Sequence, residues 1–191
     1  RGAKRPKVNN DGNNESVCIS QLYGILPDMT KGKKVEKEIA VLLHDIRSTH
    51  NVGSIFRTAD TLGVNKIYIS GYTPTPLDKF SRPRKDIAKV ALGAEKTISW
   101  EYIEKTKKLL KKLSKEGFQI IGVEQSEDSV DYKKVKIEDK VLFIVGNEVS
   151  GMENDMLKLC DIVAEIPQRG EKESLNVSVA FGVALFRMLN L

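Results

Sequence analysis

From Ile39 onward the chain alternates short apolar runs with longer segments whose apolar residues recur every three or four positions. The runs at 39–44 (IAVLLH), 66–70 (KIYIS), 118–123 (FQIIGV), 141–146 (VLFIVG) and 162–166 (IVAEI) are rich in Ile and Val. They lack the strict alternation of a strand with one wet face, so they predict strands covered on both sides in a mostly parallel sheet. Between them, the helical period predicts helices over 51–63, 101–116, about 152–160 and 174–190. Strand and helix in turn predict an α/β domain with helices on both faces of its sheet.

Two regions break this rhythm. Residues 1–38 begin RGAKRPKVNNDGNNES and end near the charged stretch KGKKVEKE, without a sustained apolar period. They read as a flexible, basic N-terminal extension ahead of a domain spanning 39–191. The segment 71–96 carries Pro74, Pro76 and Pro83, which exclude a long regular element from its first half. It also carries Lys79, Arg82, Arg84, Lys85, Lys89 and Lys96, so it is either a nucleic-acid contact or a solvated loop. A second cluster, Lys105, Lys107, Lys108, Lys111, Lys112 and Lys115, shares a predicted helix with Ile103, Leu109, Leu110 and Leu113. Charge opposite an apolar stripe reads as solvation.

An apolar content of 40% in 191 residues supports one domain core, and an aromatic share of 6% makes that core aliphatic. The net charge of +5 favours an anionic partner without identifying it. Cys18 and Cys160 have no neighbouring ligands at metal spacing, which fits a reducing compartment and argues against structural zinc. No apolar run approaches the roughly 18–20 residues of a membrane span, and the N-terminus lacks a signal-peptide core. The expectation is a soluble, cytoplasmic protein needing neither membrane nor metal.

Three stretches carry candidate chemistry. In STHNVGSIFRTADTLGV (48–64), Asn51 is placed to cap a helix whose apolar face is Val52, Ile55, Phe56, Ala59 and Leu62. Arg57 falls on the opposite face with Gly53 one turn before it. That spacing leaves the guanidinium room for a ligand; a surface pair with Asp60 or Asp45 is the alternative. In VLFIVGNEVSGM (141–152), a buried strand runs into Gly146, Asn147 and Glu148. Open α/β sheets bind ligands beyond the carboxyl ends of their strands, and a glycine there allows close approach. This loop is neither a dinucleotide fingerprint nor a Walker loop. The simplest reading of Glu148 is a charge at the start of the next helix. In AEIPQRGEKESLNVSVAFGVALFRML (164–189), Ser174 is placed to cap a helix that is apolar nearly all round. Such a helix is buried on more than one side, at a subunit interface or in a central core.

Together these stretches resemble the three motifs of the SpoU, or TrmH-type, branch of the SPOUT family of RNA 2′-O-ribose methyltransferases. Asn51-x-Gly53-x-x-x-Arg57 matches the first and Gly146-Asn147-Glu148-x-x-Gly151 the second. Ile166-Pro167 followed by Ser174-Leu175-Asn176-Val177-Ser178 matches the third. Order, spacing and strand-to-loop context agree across roughly 39–191, with Ser48-Thr49-His50 standing where many relatives carry a proline. The resemblance implies a C-terminal trefoil knot, a topology nearly absent from other proteins. It implies S-adenosyl-L-methionine bound in that knot against Val123, Glu124, Gly146, Ile166, Ser174 and Leu175. It also implies a homodimer with active sites near the interface, which favours the interface role for the 174–190 helix.

The implied reaction moves a methyl group to a ribose 2′-hydroxyl of structured RNA without a metal. Arg57 is its implied centre. A guanidinium stays protonated, so Arg57 is read as a clamp on the substrate phosphate and the developing alkoxide, with proton acceptance as the alternative. Asn51, Glu148 and Asn176 complete the implied catalytic set by orienting Arg57 and the ribose. His44 and His50 are read as capping or packing residues. The stretch IIGVEQSEDSVDY (120–132) is similar to wording in tRNA ribose methyltransferases and favours tRNA as substrate. Ribosomal RNA is the alternative, and a non-catalytic RNA-binding module of the same fold is the third reading.

Overall fold

A computed structural model describes residues 37–191. The expected extension 1–38, with Cys18, lies outside the described residues except for Lys37 and Glu38. The described residues form seven strands: β1 (Glu38–His44), β2 (Lys66–Ser70), β3 (Ser99–Ile103), β4 (Gln119–Val123), β5 (Val130–Asp131), β6 (Lys140–Val145) and β7 (Ile162–Glu165). They lie in one sheet in the order β3-β2-β1-β6-β4-β7-β5. Every pairing is parallel.

The helices are α1 (Thr49–Thr61), α2 (Lys85–Ala91), α3 (Ala94–Thr97), α4 (Thr106–Lys115), α5 (Asn154–Leu157) and α6 (Val177–Met188). Successive strand residues point to opposite faces, and both faces are covered. Ile39, Val41, Leu43 and Phe143 join α1, α2 and α6 in one core. Ala40, Leu42, Leu142 and Ile144 join Leu110 and Leu113 of α4 and Met156 of α5 in the other. That is why the strand sequences read as continuous apolar runs. No described helix is long and apolar enough to cross a membrane.

Several predicted boundaries move. The helix predicted over 101–116 begins only at Thr106, because Ser99–Ile103 forms the edge strand β3 against β2. Trp100 and Tyr102 suit a pleated edge, but Ile103 also fits the helical stripe and hid the change of period. The helix predicted over 152–160 shortens to four residues. The cap of α1 is Ser48, whose Oγ accepts from the Asn51 N–H at 3.2 Å, and not Asn51. The cap of α6 is Asn176, whose Oδ1 accepts from the Ser178 N–H at 2.9 Å, and not Ser174. As its prolines require, the first half of 71–96 holds no long element, only a hairpin closed by a Leu77–Pro83 bridge. Its second half supplies α2 and α3.

Register brings the ends of four strands together. Leu43 lies beside Val145, Val145 beside Val123, and Val123 beside Ala164. The chain runs outward from β1 through β2 to β3, then returns to β4 on the other side of β1, leaving a gap that β6 fills. This is the switch point at which open α/β sheets bind ligands.

Candidate active site

The loop leaving β6 delivers Glu148 to the start of α1. Its Oε2 accepts from the Arg47 N–H at 2.9 Å and its Oε1 from the Ser48 N–H at 3.2 Å. Oε1 also accepts from Asn51 Nδ2 at 2.9 Å. Partial burial by itself pushes this carboxyl upward, but the Arg47 N–H, the Asn51 amide and the Ser48 N–H hold its pKa below the ordinary value. Glu148 is therefore an acidic charge at a helix N-terminus, though the helix is α1 and not the one that follows it. Asn51 continues the chain: its Oδ1 accepts from Asn176 Nδ2 at 3.1 Å. One hydrogen-bonded line thus joins Glu148, Asn51 and Asn176, one residue from each motif.

Asn147 organises the loop that carries Glu148. Its Oδ1 accepts from the N–H groups of Val149 and Ser150 at 2.7 and 2.8 Å, an Asx turn. Its Nδ2 donates to the Asp45 carbonyl at 3.0 Å and to the Tyr72 hydroxyl. The sequence pattern assigns Asn147 and Tyr72 no separate role; the glycine-Asn step at a strand end is the local sign of the turn. Gly146 is needed because this loop folds back on itself. A Cβ there would stand 2.6 Å from Met152 Cγ and 2.9 Å from the Gly151 carbonyl carbon.

Val123, Glu124, Gly146, Ile166, Ser174 and Leu175, the six expected cofactor residues, all line one cleft of about 150 Å³, with Glu148 on the same wall. A second cleft of about 1340 Å³ shares Glu124, Gln125, Val149, Gly151 and Ser174 with it, so the two adjoin. The Glu124 carboxylate is occupied by the loop after β6, accepting from the Met152 N–H at 3.0 Å. Gln125 Nε2 donates to the Glu173 carbonyl at 2.8 Å and ties the loop after β4 to the segment before α6. Cys160 lies on the wall of the larger cleft, where burial pushes its thiol up to about 11. Among the described residues, no group of three His, Cys, Asp or Glu side chains could hold a metal ion.

Arg57 stands apart from this cluster. It is six residues beyond Asn51, about 9 Å along α1, and exposed. Its expected surface partners are otherwise engaged: Asp60 accepts from Thr97 Oγ1, and Asp45 from the Tyr72 N–H. Gly53 does not make room for Arg57. It is buried, and a Cβ there would meet the Ile87 carbonyl and Val90 Cβ of α2 at 2.8 Å each, so its absence lets the two helices pack. His44 packs at the end of β1, its Nδ1 2.7 Å from Ser70 Oγ, and His50 is exposed on α1. In the 79–96 region, Arg82 pairs with Asp78 and Arg84 with Asp86. Part of that basic charge is therefore compensated locally.

A parallel sheet with this switch-point cleft, and three motifs meeting at its rim, define a SpoU-type α/β domain. The model of the SpoU rRNA Methylase family matches residues 38–186, and the chain belongs to that family. Among its relatives, the 23S rRNA (guanosine-2′-O-)-methyltransferase RlmB of Neisseria meningitidis is 33% identical over 150 residues, covering 78% of this chain and 57% of the relative. The tRNA (guanosine(18)-2′-O)-methyltransferase of Aquifex aeolicus is 31% identical over 158 residues, covering 81% and 70%. An AdoMet-bound rRNA methyltransferase from Sinorhizobium meliloti superimposes with a TM-score of 0.72 at 29% identity, covering 81% of this chain and 57% of that one. The chain thus spans less than two thirds of the length of the first of these relatives.

Proposed function

We propose that this chain methylates ribose 2′-hydroxyls of structured RNA with S-adenosyl-L-methionine, acting as a homodimer through its 39–191 domain. The observation that carries this reading is the Glu148–Asn51–Asn176 line beside a cleft lined by all six residues expected to hold the cofactor. The smaller cleft alone is tight for a nucleoside-bearing ligand, since such sites occupy about 300–1,000 Å³; its larger neighbour supplies the remaining space. The AdoMet-bound relative from Sinorhizobium supports the same cofactor here. Threading of the segment before α6 as a trefoil knot belongs to this reading. The insertion of β6 between the earlier strands β1 and β4, and the Gln125–Glu173 bond, support it.

When bound, the cofactor supplies an electrophilic methyl group carried on a sulfonium. The protein must orient the ribose and stabilise charge on its oxygen. Glu148 fixes the start of α1 and the amide of Asn51, which in turn holds Asn176 between the cleft-lining Leu175 and Val177. Arg57, whose guanidinium has no hydrogen-bond or ion-pair partner among the described residues, grips the substrate phosphate and the developing alkoxide. Its distance from the cluster fits a site completed near a subunit interface. Support for that interface comes from α6: Phe181, Ala184, Leu185 and Met188 face the core, while Val179, Val183 and Phe186 leave an apolar stripe exposed. The core role thus occupies one face of the helix, and the opposite face is free for the proposed interface.

The relatives include enzymes named for rRNA and for tRNA, so the preference for tRNA is put to test against both. A cytoplasmic setting goes with either substrate. The test is mass spectrometry of nucleosides from tRNA and 23S rRNA transcripts incubated with protein and S-adenosylmethionine. A 2′-O-methylnucleoside is expected from one of them. Absence of both cofactor binding by calorimetry and any methylated nucleoside would instead support a non-catalytic, cofactor-free RNA-binding module.

A further inference from the structure

We propose that Tyr72 is the surface on which the base of the methylated nucleotide stacks, a role that rests on the RNA methyltransferase reading above. Tyr72 follows β2 at the same sheet edge as the cluster. The residue is 59% exposed, yet it is held at both ends. The backbone N–H donates to Asp45 Oδ1 at 3.1 Å, and the hydroxyl accepts from Asn147 Nδ2. Gly71 makes this placement possible. It has a φ of +63°, and a Cβ on it would fall on the Asp45 carboxylate. Tyr102 on the neighbouring strand adds a brace, donating its hydroxyl to the Gly71 carbonyl at 2.8 Å.

An aromatic ring fixed at both ends with an open face is pre-organised for a flat ligand, so little freedom is lost on binding. The ring is bonded to Asn147, the residue next to Glu148, which puts it at the rim where the ribose must lie. The loop continues into the 76–84 hairpin, whose tip presents Phe80, 64% exposed, with Lys79 Nζ 5.0 Å and Arg82 Cζ 4.9 Å from its ring centre. Basic groups interleaved with exposed aromatics are the chemistry that recognises unpaired RNA: phosphates pair with the cations and splayed bases stack on the rings. A packing role for Tyr72 requires its hydroxyl but not its exposed face. A stacking role requires the ring.

Two measurements test this, using 23S rRNA and tRNA transcripts as probes. First, Tyr72→Leu is expected to raise the KM for the methylated transcript roughly 5- to 150-fold, the effect of losing one base–aromatic stack, with kcat and cofactor affinity little changed. Tyr72→Phe, which keeps the ring and loses the Asn147 bond, is expected to restore most of that loss. Second, transcripts substituted in parallel with 5-iodouridine or with 6-thioguanosine, so that either base at the methylated position is photoreactive, are irradiated with the wild-type protein, and adducts are mapped by mass spectrometry. This arm needs no folded variant and no turnover. An adduct on Tyr72 is expected. Adducts confined to other aromatic residues, or a Tyr72→Leu protein with an unchanged KM, overturn the stacking role. A wild-type protein that cross-links through Tyr72 but transfers no methyl group overturns the enzymatic reading and the nucleotide's identity as target with it.

Discussion

Glu148 uses its carboxylate entirely within the protein, accepting from two backbone N–H groups and one side-chain amide. On the proposed reading it acts as a positioning group, its carboxylate being engaged by these donors. Glu148→Gln replaces an acceptor oxygen with a donor facing those N–H groups, at a cost of about 1–3 kcal/mol for each donor left unsatisfied. Methyl transfer is expected to fall at least about tenfold while cofactor affinity by calorimetry holds. The pH dependence has a defined sign. The folded pKa of Glu148 lies below its ordinary 4.5, so its contribution to stability is present above that value and lost as pH falls through the folded pKa. Urea unfolding is expected to show a gap between wild type and Glu148→Gln at neutral pH that closes in acid; a constant gap would contradict this. Arg57 is the opposite case, its guanidinium having no partner to lose among the described residues. Arg57→Ala is expected to lower turnover about 100- to 1000-fold, the range for removing a donor to a developing oxyanion, and to leave cofactor affinity intact. Arg57→Lys is expected to rescue poorly, because an ammonium lacks the planar fork that grips a phosphate.

Elements depend on approaches that single residues permit. Gly53 lets α2 lie against α1, so Gly53→Ala is expected to destabilise the fold by about 1–3 kcal/mol through overpacking, read as a lower midpoint in thermal unfolding. On α6, Val183 lies on the exposed stripe at 40% exposure, so Val183→Asp is expected to leave the fold intact. Sedimentation should then show a wild-type dimer and a folded variant monomer. A wild-type protein that remains monomeric at micromolar concentration would remove the interface. Helix and strand cores were legible because their periods are local, and the apolar face of α1 is the one foreseen. Caps were less legible. Ser48 and Asn51, and likewise Ser174 and Asn176, are equally good capping types a few residues apart, and the choice follows from where the incoming strand or loop releases the chain.

For the whole molecule, RNA affinity is expected to fall steeply with salt, through release of counterions from the phosphates that the protein neutralises. Within 79–96, Arg82 and Arg84 already neutralise Asp78 and Asp86, so reversing Lys79 and Lys85 is expected to matter more. The slope of log affinity against log salt should drop by about one for each phosphate that a variant no longer engages, measured by filter binding. An unchanged slope would move the footprint elsewhere, the lysine face of α4 being the next place to test. Buried strands alternating with amphipathic helices, and three motifs at strand ends, could be read along the chain because they are patterns of neighbouring residues. Folding alone settles that Glu148 accepts at the start of a helix about a hundred residues earlier, that Gly53 serves helix packing, and that Tyr72 stands bonded to Asn147. The two bonds exist because β6 lies beside β1, and the close approach because α2 folds back onto α1. A strand order is a choice among long-range pairings, and no local period encodes it.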